Sequence, residues 1–63
     1  MNANMLLKLA QSGNANAMVS LANMYLEGSG GVEVDQQVAV QWLEKAAELG
    51  DANAQKALFA LYS

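Results

Sequence analysis

Six carboxylates, three lysines and four serines are the polar groups from which this 63-residue chain could build a reactive site; it has no histidine, cysteine or arginine. Without those three types the common nucleophile–base pairs cannot be assembled. None of Ser12, Ser20, Ser29 and Ser63 stands in a Gly-x-Ser-x-Gly or Ser-x-x-Lys spacing. The expectation is a protein that is not an enzyme. Glu44 and Glu48 lie four apart, and Glu33 and Asp35 flank a turn. Paired carboxylates can hold Ca²⁺ or Mg²⁺, but such a site needs a run of oxygen ligands in one loop, which no segment supplies. They read instead as a solvated helix face and a helix cap. Gly28-Ser29-Gly30-Gly31 has the glycine content of a phosphate loop, yet no Gly-Lys-Ser/Thr follows it and no strand precedes it. It reads as a connector that needs positive φ. No catalytic residue, no metal and no cofactor is expected.

The charge balance narrows the partners. The formal net charge is −3. Nucleic-acid binders of this size carry a basic face, so a nucleic-acid partner is disfavoured. No basic amphipathic helix is present to lie on a membrane, and no apolar stretch approaches the ~20 residues that span one. Residues Met1–Lys8 lack the positive leading region and long apolar run of a signal peptide. The cytoplasm is the expected compartment, and the absence of cysteine agrees with it. A chain this short has a small core, and disulfides or structural zinc are not available to support it. Close helix packing, oligomerisation or a bound partner must serve instead. Twelve alanines within a 54% hydrophobic composition suit close packing.

The elements that position these residues repeat at an offset of 37. Residues 1–26 laid on 38–63 pair Leu6 with Leu43, Lys8 with Lys45, Ala10 with Ala47, Gly13 with Gly50, Ala15 with Ala52, Asn16 with Asn53, Ala17 with Ala54, Leu21 with Leu58 and Tyr25 with Tyr62. A fixed period in this range marks units that bury their apolar faces by stacking on one another. The first helix is expected from about Asn4 to Ser12, with Met5, Leu6, Leu9 and Ala10 on one face and Gly13 as its stop. The second covers about 15–27, with Ala17, Met18, Leu21, Ala22 and Tyr25 at helical spacing, and ends at Gly28. The third is capped by Asp35, carries Ala39, Trp42, Leu43, Ala46 and Ala47, and stops at Gly50. The fourth begins near Asp51 and carries Ala54, Leu58, Leu61 and Tyr62. Gly13-Asn14 and Gly50-Asp51 are tight links, and Gly28–Val34 is a longer one. Such short links force antiparallel neighbours. The expected fold is all-α: four antiparallel helices stacked as two α-hairpins, a short right-handed α/α superhelix.

Gly13-x-Ala15-x-Ala17-x3-Leu21-x3-Tyr25-x2-Gly28-x-Gly30-Gly31-Val32-x2-Asp35-x3-Ala39-x2-Trp42-x3-Ala46-Ala47-x2-Gly50 closely resembles the Sel-one-like repeat, a relative of the tetratricopeptide repeat. The resemblance spans nearly the whole chain as one module, with a half-repeat at 1–13, a full repeat at 14–49 and a half-repeat at 50–63. It implies an α/α solenoid that serves as an adaptor or scaffold for other proteins, in a family common in bacteria and not catalytic as a rule. The sequence departs from the pattern by one extra glycine in Gly30-Gly31 and by stopping at Tyr62-Ser63, before the next loop glycine. Solenoids usually need about three repeats and polar caps. The chain is therefore expected to be a fragment, a self-capped minimal module or half of an oligomer.

Two sets of residues are candidates for binding. Asn16, Ser20, Asn23 and Glu27 share one face of the second helix, and Asn53, Lys56 and Ala60 lie on the corresponding face of the fourth. In related repeats these helices line the concave surface where peptides dock, and asparagine can both donate to and accept from a peptide backbone. The plain alternative is a polar outer face. The second set concerns self-association. Phe59 stands where the repeat has Ala22, and it either folds down as a plug or projects. Met5, Leu6 and Leu9, with Met1, form an open apolar end. Exposed apolar ends predict association. Trp42, Tyr25 and Tyr62 read as core aromatics and the methionines as gap fillers. The function expected is a protein–protein interaction module that binds a protein or peptide through the concave face or an apolar end. The alternatives are a small inhibitor or immunity-type protein that blocks an enzyme, its acidic charge suited to a basic target, or a self-associating structural unit.

Overall fold

Alanine-rich, proline-free segments with apolar residues three and four apart fold as helices, and the computed structural model, which describes residues 3–63, contains four of them. They are α1 (Ala3–Gln11), α2 (Ala15–Glu27), α3 (Gln36–Glu48) and α4 (Ala52–Tyr62). No strand occurs among the described residues. Met1 lies outside them, so its place at the apolar end is not described. The first helix begins and ends one residue earlier than the sequence spacing predicts, because Gln11 is the last helical residue and Ser12 enters the turn.

An oxygen-bearing side chain starts each of the last three helices. Asn14, Asp35 and Asp51 accept from the backbone N–H groups of Ala17, Val38 and Ala54 at 3.0, 3.2 and 2.9 Å. Each such cap satisfies one otherwise orphaned donor and is worth about 1 kcal/mol. The two tight turns are alike bond for bond. Gly13 N donates to Ala10 O and Asn14 N to Leu9 O, while Gly50 N donates to Ala47 O and Asp51 N to Ala46 O. This is the paired pattern of a Schellman stop, and it needs a residue at positive φ; Gly13 and Gly50 stand at 99° and 92°.

The longer link runs differently. Gly28 N and Ser29 N both donate to Met24 O, Val32 N donates to Ser29 O, and Asp35 N returns to Tyr25 O at 2.8 Å. The extra glycine is absorbed in this turn. The amides of Gly28 and Ser29 are thus occupied in closing α2.

Helices pack in sequence order, α1 on α2, α2 on α3 and α3 on α4, with the α2–α3 seam the most extensive. The core is Leu6, Ala10, Ala17, Met18, Leu21, Ala22, Ala39, Leu43, Ala46 and Ala54. Most of these are alanines, which let helix axes come close, while Leu21 and Leu43 are the largest fully buried side chains. No polar or charged residue is buried among the described residues. Stability therefore rests on apolar burial and caps, at about 1.5–3 kcal/mol for each fully buried leucine.

Two expectations about orientation are corrected, and one open alternative is decided. The predicted first-helix face divides: Leu6 and Ala10 turn into the core, while Met5 and Leu9 remain exposed. Leu6 is therefore not part of an open apolar face. Tyr62, read as a core aromatic, is 69% exposed and borders an open concavity with Gln36, Gln37, Val40 and Gln41 of α3. Phe59 projects at 78% exposure and does not fold down as a plug. Trp42 packs against the core, with Lys45 Nζ 5.7 Å from its ring centroid, a favourable cation–π placement one helical turn away.

Candidate protein-binding face

The stripe on α2 is exposed because the opposite side of that helix is committed to the core. Ala17, Met18, Leu21 and Ala22 are buried, and the helical period then turns Asn16, Ser20, Asn23 and Glu27 outward. Asn53 and Lys56 on α4 are likewise exposed, opposite buried Ala54. None of these six side chains hydrogen-bonds within the described chain. Their amide, hydroxyl and charged groups are thus available to a partner, and they stand on helices whose backbone is already satisfied. Asn14, by contrast, has its side-chain oxygen engaged in capping α2.

The six do not form one groove. Neither α2 nor α4 packs closely on the other; each is joined to α3. Asn16 and Ser20 rim a shallow groove between α1 and α2, whose floor is Leu6, Leu9 and Ala17. Asn23, Glu27, Asn53 and Lys56 lie outside it. Sequence spacing finds the stripe but misses this groove, because its apolar floor comes from a different helix and depends on how α1 crosses α2.

A second concavity runs between α3 and α4, lined by Gln41, Glu44, Lys45, Ala47, Glu48 and Leu58. Gln55 Nε2 donates to Ala47 O across the same seam at 3.4 Å. Glu44 and Glu48 are exposed here beside Lys45, as a solvated face would be. No group of three or more metal-ligating side chains occurs among the described residues. The charges are unevenly spread: all six acids fall between Glu27 and Asp51, with Lys45 among them, and Lys8 and Lys56 flank this acidic band. No described helix is long and apolar enough to cross a membrane.

Comparison with known proteins fits this arrangement. The family model of the Sel1 repeat matches residues 15–51, from the first residue of α2 to the cap of α4 and so more than half of the chain. Chitin synthase regulatory factor 4 of Schizosaccharomyces pombe is 41% identical over 46 residues, which is 73% of this chain. The chain spans about 7% of the length of that curated relative. No solved structure matches.

Proposed function

The chain belongs to the Sel1 repeat family, and on that premise we propose that it is a non-catalytic interaction module which holds a protein or peptide through the outward face of α2. Sel1 repeats generally mediate protein–protein contact. Within that role, Asn16, Ser20, Asn23 and Glu27 form the primary contact surface, and Asn53 and Lys56 extend it. The observation that carries the reading is a row of exposed side chains, rich in amides, with no hydrogen-bond partner among the described residues, fixed on a helix that is clamped by its neighbours on both sides. Such groups match the alternating donors and acceptors of an extended peptide at little ordering cost. The mechanism is complementarity of shape and hydrogen bonding, with no chemical step.

The matched relative is named as a regulatory factor of an enzyme, and a binding role of this kind agrees with that name. The acidic band from Glu27 to Asp51 supports a second reading, a module that covers a basic surface of its target and blocks it. The test is capture from a cell lysate by the tagged chain, with an Asn16→Arg, Asn23→Arg variant in parallel. A protein retained by the parent and lost by the variant, with helicity unchanged by circular dichroism, supports the face. Equal retention by both removes it. A one-to-one complex that abolishes the target's activity selects the blocking role.

A further inference from the structure

The link between α2 and α3 lies inside the full repeat, and a single side chain fastens it. Gly30 stands at a φ of 66°. The space in which its Cβ would stand is filled by the terminal methyl of Met24, and Met24 Sδ lies 3.3 Å from that point. The thioether therefore lies flat against the glycine, in a contact that any side chain at position 30 would displace. The main chain of the same residue closes the turn: Met24 O accepts from Gly28 N at 2.7 Å and from Ser29 N at 3.1 Å. Val32 N then donates to Ser29 O, and Asp35 N to Tyr25 O. The link is thus folded over Met24 by both its backbone and its side chain.

The methionines of the described residues differ in access. Met18 is shut in the core at 5% exposure, Met5 on α1 is exposed, and Met24 is half-buried. Met24 alone of the three combines partial access for a small oxidant with close packing against a loop. By the 37-residue register its counterpart is Leu61, which is also half-buried. Apolar bulk therefore suffices at this position. What methionine adds is an unbranched shape and a sulfur that can be oxidised.

We propose that Met24 is a redox-sensitive clasp on the α2–α3 link, opened by a peroxide. The peroxide gives one oxygen atom to Met24 Sδ: its O–O bond breaks, an S–O bond forms, the sulfur is oxidised by two electrons and hydrogen peroxide leaves as water. The sulfoxide is larger, chiral and polar. Its oxygen has no room against the Gly30 Cα and is drawn to water. Either the side chain swings out or the link lifts away, and in both cases the glycine run loses its cover. Reduction of the sulfoxide restores the thioether, so the clasp is reversible. The same stretch of α2 carries Asn23 and Glu27. In so far as the outward face of α2 is the binding face, an open clasp therefore weakens the hold on a partner at that end; the clasp itself needs no partner.

Amide hydrogen exchange by NMR, before and after treatment of the folded chain with hydrogen peroxide, tests the clasp without any partner. A Met24→Leu variant, which keeps the bulk found at Leu61, receives the same treatment, and Met5 is present in both samples, so its oxidation is common to them. Peptide mass spectrometry is expected to find the added oxygen on Met24 of the folded parent. Exchange at Gly28, Ser29 and Asp35 then quickens by about tenfold, the Met24→Leu variant keeps its rates, and methionine sulfoxide reductase returns the parent to its own. Met24→Gln, polar at the same position, shows the fast exchange with no oxidant. A clasp that opens while a captured protein stays bound supports the clasp and counts against the α2 face. Three results overturn the proposal: oxidation of Met24 with exchange unchanged, equal quickening in Met24→Leu, or oxidation of Met24 only after unfolding in urea.

Discussion

Leu43 and Phe59 carry similar apolar bulk and opposite consequences. Leu43 is fully buried between helices that approach closely through alanines, whereas Phe59 stands 78% exposed on α4. Leu43→Ala leaves a cavity that alanine neighbours cannot fill by changing rotamer, at a cost of about 3 kcal/mol. That is a large part of what a domain of this size has available. Phe59→Ala shifts stability by no more than about 0.5 kcal/mol. Urea unfolding of dilute protein, followed through the single Trp42, separates the two; equal losses at both positions would refute the orientation of α4. The asparagines work at this scale too. Replacing Asn16 and Asn23 by arginine adds bulk and charge to exposed positions, so partner binding falls while the unfolding midpoint stays within the same small range.

The elements are fixed at their ends as well as along their lengths. Asp51 closes α3 through its backbone N–H and opens α4 through its carboxylate, so one residue bonds to both helices. Asp51→Ala keeps the first bond and loses the second, which lowers stability by about 1 kcal/mol. Gly50→Ala leaves both bonds possible but places a side chain at a φ of 92°, at a strain of about 1–2 kcal/mol, and no atom lies near enough to clash with the new methyl. Thermal denaturation by circular dichroism reads both, and the two losses add less than fully because they act on one turn. Because the α1–α2 turn reproduces the same bonds, Asn14→Ala is the internal control for Asp51→Ala and gives a loss of similar size.

At the scale of the whole molecule, the six acids fall between Glu27 and Asp51, and Lys8 on α1 and Lys56 on α4 stand to either side of them. Added sodium chloride screens attraction between the band and a basic target, so binding of that kind weakens. A binding titration along a salt series measures this. Binding that holds unchanged at high salt would mean that the acidic band does not carry the contact.

Much of the fold was legible in the residues themselves. Glycine stops, Asx caps and alanine–leucine spacing act within one or two turns, so local chemistry places the four helices and the 37-residue period orders them. The polar stripe on α2 was legible for the same reason, since helical geometry alone puts Asn16, Ser20 and Asn23 on one side. The fate of residues at the two ends was not. Tyr62 and Tyr25 are the same residue in the same register, yet one is exposed and the other half-buried. Leu6 and Leu9 share a predicted face and part company at the core. Burial at these positions depends on whether another helix is present and at what angle it crosses, a property of the assembled neighbours and not of the local pattern. The sequence alone therefore determined the elements and their period, and the tertiary structure decided which apolar faces are left open to another molecule.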